Sequence, residues 1–149
     1  MRKLFAAIIP AMIVLCLGCA RGYEDKLAAT LVPAKGKVTY QGKPLPNAVV
    51  TLHPVDKLAG GGASATELVR TPFGIAKDDG SFELTTIKPA DGAPEGEYAV
   101  TVSWTGEKAP KSDNDAAPER LPAKFQNPVA SGIRVQVRSG QELPEIRLN

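Results

Sequence analysis

Cysteine is almost absent from this sequence. Cys16 and Cys19 stand near its start, and no other follows. That excludes a disulfide framework, a cysteine-ligated zinc site and a thiol nucleophile from everything downstream. Histidine is scarcer still, with His53 alone. A zinc centre takes three or four ligands, so His53 would need carboxylates beside it. A serine-hydrolase triad would have to use the same histidine, and no motif sets a serine near it. Aromatic residues make up only 5% of the chain. No glycine-rich phosphate loop is present, because Gly60-Gly61-Gly62 lacks the Lys-Ser/Thr that completes one. Excess charge is missing too. The formal net charge is +2, and Arg2 and Lys3 lie in a segment expected to be removed. Without them basic and acidic residues balance, so a nucleic-acid footprint is not supported.

What the chain does have is turn chemistry. Its 14 glycines and 13 prolines suit many short strands and few long helices. Residues 74–84 carry the strongest local signal. Ile75 precedes Asp78-Asp79-Gly80, and Phe82 and Leu84 follow it. Asp-Gly between alternating apolar residues predicts a β-hairpin, with the aspartates bonding the backbone and Gly80 free to take positive φ.

The other strands follow from alternation. Val38 and Tyr40 alternate with Lys37, Thr39 and Gln41, and Gln41-Gly42-Lys43-Pro44 turns the chain. Ala48, Val50 and Leu52 form one face of the next strand, with Val49, Thr51 and His53 on the other. Tyr98, Val100, Val102 and Trp104 line one face of the cleanest strand and predict a central one. Ile133, Val135 and Val137, a Ser139-Gly140 turn, then Ile146 and Leu148 read as a terminal hairpin. Phe125 is expected to pack against the edge. Two long connections, residues 55–72 and 105–121, are expected to be solvated and mobile, and they are the candidate contact surfaces if the domain binds a partner. About seven short strands predict an all-β Greek-key sandwich over residues 32–149.

The start of the chain reads as an address. Met1-Arg2-Lys3 is a positive cap, and residues 4–17 are apolar. That run is shorter than the roughly 20 residues a bilayer span needs, and it fits the core of a secretory signal, expected to be helical. Leu15-Cys16-Leu17-Gly18-Cys19 resembles the lipobox of bacterial lipoproteins. The resemblance implies cleavage between Gly18 and Cys19, a signal peptide over residues 1–18, and lipid on Cys19. The acyl chains on that cysteine would exceed the two needed for stable anchoring. Residues 19–31 then form a polar tether.

Within the folded part, Gly36-Lys-Val38, Gly42-Lys-Pro-Leu45, Asn47-Ala-Val-Val50 and Ala76-Lys-Asp-Asp-Gly-Ser-Phe82 resemble, in order and spacing, the carboxypeptidase regulatory-like domain. Gly96-Glu-Tyr-Ala-Val-Thr-Val102 looks like its following strand. Leu121-Pro-Ala-Lys-Phe125, Asn127-Pro128 and Ser131-Gly132 look like the C-terminal half of small bacterial lipoproteins built around it. The resemblance implies a transthyretin-like sandwich and no peptidase activity, since the His/Glu zinc set is missing.

Function is therefore read from placement. The expectation is a non-enzymatic lipoprotein of the cell envelope or periplasm, a binding or structural module without cofactor or metal. Its partners would be the membrane, through the lipid, and an envelope protein or polysaccharide. The alternative is an enzyme or metal-dependent accessory factor using His53 and loop carboxylates such as Asp113, Asp115 and Glu119. Asp78 and Asp79 are expected to serve the turn rather than calcium, which takes six to eight oxygens. Trp104 and Tyr98 are expected to pack in the core rather than stack on sugar.

Overall fold

The computed structural model describes residues 27–28, 30–58, 71–106 and 118–149. Gly18, Cys19, the expected signal segment and Gly60-Gly61-Gly62 lie outside those residues. The described chain is almost entirely β. Its elements are β1 (Leu31–Val32), β2 (Lys35–Tyr40), β3 (Lys43–Pro44), β4 (Val49–Pro54), a helical turn α1 (Val55–Leu58), β5 (Phe73–Ile75), β6 (Ser81–Glu83), β7 (Ala93–Pro94), β8 (Gly96–Ser103), a 3-10 turn over Ala123–Gln126, β9 (Arg134–Val137) and β10 (Ile146–Leu148). The strands beyond the expected seven are β1, β3 and β7, each two residues long. Such strands are too short to leave an alternation in the sequence. β1 takes in Leu31, at the end of the expected tether, by pairing it with Pro94 of β7.

Two four-stranded sheets face each other. In the first, β2 is flanked by β10 on one side and by β3 and β6 on the other. In the second the order is β5-β4-β8-β9. Residues from both feed one buried cluster, including Val38, Phe82 and Ile146 from the first and Val50, Val100 and Val135 from the second. Burying each such side chain contributes about 1.5–3 kcal/mol. β8 is the central strand of its sheet as the sequence predicts, paired along its length with β4 and at its start with β9.

Local sequence explains the close packing of the first sheet. Gly36 pairs with Phe82 across β2 and β6. A Cβ on Gly36 would stand 2.6 Å from the Phe82 ring. The missing side chain is what lets the ring lie flat over the strand. At the other end of β2, Gln41 and Gly42 both have positive φ, 51° and 78°. That is the turn whose twist matches two adjacent antiparallel strands, and it closes Tyr40 onto Lys43.

Residues 45–48 carry the chain from the first sheet to the second. Two expected pairings are corrected. The predicted hairpin over residues 74–84 keeps its turn but splays its arms. β5 pairs with β4, and β6 pairs with β2. Between the arms, a bridge joins Phe73 to Thr85, and the turn closes with Lys77 N–H donating to the Ser81 carbonyl at 2.7 Å. The terminal hairpin is likewise absent. β9 joins β8, whereas β10 runs parallel to β2, with Ile146 beside Val38 and Leu148 beside Tyr40. Alternation gives the buried face correctly for Phe82, Leu84, Val135, Val137, Ile146 and Leu148, but not for Ile75, which is exposed. It does not say which sheet takes the strand, because both sheets present the same apolar inner surface.

Candidate functional site

The chain's crossings between sheets gather several turns at one end of the sandwich. Tyr40 closes β2, Gln41 and Gly42 turn, and Lys43 and Pro44 form β3. Leu45 is then buried at 2% exposure and Pro46 follows it. Asp78 lies on the turn before β6, and Trp104 stands directly after β8. Tyr40, Gln41, Lys43, Pro44, Leu45, Pro46, Asp78 and Trp104 line an open groove of about 700 Å³. That volume is within the roughly 300–1,000 Å³ of small-molecule sites.

Trp104 is fixed there from three directions. Its indole N–H donates to the Pro46 carbonyl at 2.9 Å. Its backbone N–H donates to Glu119 Oε1 at 2.8 Å. The Arg120 guanidinium lies over the ring, 5.8 Å from its centroid, close enough for a cation–π attraction. Gly106 makes room for that guanidinium, since a Cβ there would meet it at 3.2 Å. Trp104 and Tyr40 are both half-buried and pack on the core. Core packing was expected for Trp104, yet the same side chain also lines the groove.

Glu119 is the residue the sequence reading placed wrongly. In a polar stretch of mixed charge it was expected to be solvated. Its carboxylate accepts from Ser103 Oγ at 2.6 Å and from the backbone N–H groups of Trp104, Arg120 and Leu121. Burial alone would raise its pKa. The donor from Ser103 and the three amides outweigh that and hold it below the ordinary carboxylate value. The polar composition was a true signal of turn chemistry, but nothing in it singled out one carboxylate. Residues 107–117, which include Asp113 and Asp115, lie outside the described residues.

Of the two turn aspartates, Asp79 bonds the turn as expected. Asp79 Oδ1 accepts from the Ser81 N–H at 2.9 Å and from Ser81 Oγ at 2.6 Å, and those bonds lower its pKa. Gly80 has φ 79°, and a Cβ on it would stand 2.5 Å from the Val38 carbonyl oxygen. The turn therefore needs glycine for its conformation and for its contact.

His53 lies elsewhere, on the outer face of the second sheet. Its Nε2 shares a hydrogen bond with Thr101 Oγ1 at 3.0 Å, and burial lowers its pKa. Among the described residues no three His, Cys, Asp or Glu side chains converge where a metal ion could sit. Near it on the same face, Val49 pairs with Ile75, and Phe73 with Thr51; Val49, Phe73 and Ile75 are exposed. At the opposite end of the sandwich from the groove, burial and then the charge of Asp56 push the Tyr98 hydroxyl up to about 12. That hydroxyl donates to the Pro94 carbonyl at 2.8 Å, which ties the start of β8 to β7. A second depression, of about 390 Å³ on the first sheet, is lined by charges that already pair, such as Lys35 with Glu83 at 2.9 Å.

No family model matches the chain, and no curated protein matches it in sequence. Two solved structures are similar to it. A 9R-lipoxygenase from Cyanothece PCC8801 aligns over 86% of this chain at 14% identity and a TM-score of 0.39. A DUF3823 family protein from Parabacteroides merdae aligns over 78% at 16% identity and a TM-score of 0.34. The chain spans 20% of the length of the first and 44% of the second. Scores this low do not establish a shared fold. Among the described residues no helix is long and apolar enough to cross a membrane.

Proposed function

We propose that the chain is a non-enzymatic binding module of the bacterial cell envelope, tethered by lipid on Cys19 after cleavage behind Gly18. In this reading the folded part is a transthyretin-like, Greek-key sandwich of the carboxypeptidase regulatory-like type. The motif order over residues 36–102 supports that assignment. The observation that carries the binding role is the groove at Tyr40 and Trp104. Its indole is held by the Pro46 carbonyl and backed by Arg120, and its backbone N–H by Glu119. A side chain held so firmly, yet lining an open groove, is preorganised for a partner, because little conformational entropy remains to be lost on contact. The signal-like start and the Gly18-Cys19 pair support the placement.

Envelope fractions provide the test. The full chain, cross-linked in intact cells and recovered from membranes, is expected to bring down a partner or polysaccharide that a Tyr40→Ala, Asp78→Ala chain does not. Identical recovery by both chains would remove the groove from the function. Mass spectrometry of the mature N-terminus tests the placement separately, with a diacylglyceryl group on Cys19 as the expected result.

A further inference from the structure

Four features of the groove narrow the class of ligand. The first is the spent donor on Trp104. Its indole N–H is committed to Pro46 at 2.9 Å, so the ring offers the groove hydrocarbon and π surface but no hydrogen. Grooves that take proline-rich peptides have aromatic walls as well, so what favours a sugar here is the rim of polar side chains. The second is the floor of Pro44, Leu45 and Pro46. Prolines lack a backbone N–H, so the two of them add apolar surface without adding backbone donors. The third is the rim. Gln41, Lys43 and Asp78 supply an amide, an ammonium and a carboxylate, a mixed set of donors and acceptors suited to a ring of hydroxyls. The fourth is charge. Lys43 and Asp78 cancel, so the lining has no net field to attract an acidic polymer.

We propose that this groove binds a neutral oligosaccharide. The apolar face of one pyranose ring stacks on the Trp104–Tyr40 surface, and its hydroxyls bond Gln41, Lys43 and Asp78. Arg120 does not line the groove; it backs the indole and holds it in place. The inference rests on the binding-module reading above and assigns that module a ligand class.

Trp104 is the chain's single tryptophan, so its indole N–H gives one NMR cross-peak that reports the groove directly. The isotope-labelled full chain, in mild detergent, is titrated with cellohexaose, maltohexaose and chitohexaose. At least one is expected to shift that peak and those of residues 40–46 in a saturable way, unchanged between low and high salt. Tyr40→Ala should weaken the interaction about ten-fold, the effect of losing one aromatic contact. Asp78→Ala, on an exposed turn, should weaken it several-fold and serves if Tyr40→Ala does not fold. A response to none of the three sugars overturns the proposal. If a proline decamer shifts the same peaks instead, the sugar assignment falls while the binding module stands. If polygalacturonate binds only at low salt, the neutral-ligand claim falls. If nothing in the panel shifts the groove, the sugar assignment falls, and the cross-linking comparison above decides the binding module on its own.

Discussion

The backbone N–H of Trp104 and the carboxylate of Glu119 meet at 2.8 Å, joining the end of β8 to a point 15 positions further along the chain. The same carboxylate holds Ser103, Arg120 and Leu121. One side chain thus closes a long connection onto the strand end that carries the groove. Glu119→Ala should cost about 1.5–3 kcal/mol, the range for losing hydrogen bonds to a charged group, read as a lower urea midpoint at pH 7. The indole cross-peak of Trp104 should move in the same variant. Acid should reproduce part of the loss. The folded-state pKa of Glu119 lies below its ordinary 4.5, so its contribution is full above that value and fades as pH falls through the folded one. Glu119→Gln should flatten the stability profile below about pH 4.5. A residual slope belongs to Asp79, Glu83 and Glu145, which their own partners depress as well.

Gly80 and Gly42 separate two costs that usually occur together. Both have φ near 80°, so alanine at either should cost about 1 kcal/mol from backbone conformation. Nothing lies within 4 Å of a Cβ on Gly42, whereas one on Gly80 meets the Val38 carbonyl oxygen at 2.5 Å. Gly80→Ala should therefore lose at least about 1 kcal/mol more than Gly42→Ala, as overpacking commonly does. Thermal or urea unfolding of the two variants gives the comparison, and equal losses would mean the turn moves freely away from β2.

His53 gives a readable titration because the chain has no other imidazole. Burial lowers its pKa from 6.5. Its contribution to stability is then complete above pH 6.5 and declines as pH falls through the folded value, since the unfolded chain takes up the proton first. The imidazole proton signals should titrate with a midpoint below 6.5. His53→Gln should remove the fall in stability that begins as pH drops below about 6.5. A midpoint above 6.5 would require a carboxylate beside the ring, as the metal-site alternative does.

Cys19→Ser removes the acceptor of the proposed lipid. The variant is expected in the soluble envelope fraction, while the wild-type chain stays with membranes, as judged by immunoblot after fractionation. Continued membrane retention of a correctly processed variant would argue against the lipobox.

Sequence patterning reached the buried faces almost completely. Val38, Val50, Leu52, Tyr98, Val100, Val102, Val135, Val137, Ile146 and Leu148 are all buried, as alternation required. It also identified Asp78-Asp79-Gly80 as a turn. Partner choice was not legible. Phe82 and Leu84 alternate as a hairpin arm would, but β6 goes to β2 because Gly36 leaves room there for the Phe82 ring. That fit depends on two residues far apart in sequence. The groove was hidden for the same reason. Residues 40–46, Asp78 and Trp104 belong to three separate stretches, and only the crossings between sheets bring them together. Glu119 stayed unrecognised because a carboxylate that organises amides looks, in sequence, like any solvated one.

The parallel seating of β10 against β2 sets a timetable. Thr39 Oγ1 donates to Glu145 Oε1 across 106 positions, and Ile146 to Leu148 fill the flank of β2 that nothing else among the described strands covers. During synthesis that flank stays an open edge until more than a hundred further residues have emerged. Pairings of such long range slow folding. A chain that delays its own completion keeps that bare edge for longer, and an unpaired edge is where another chain can add a strand.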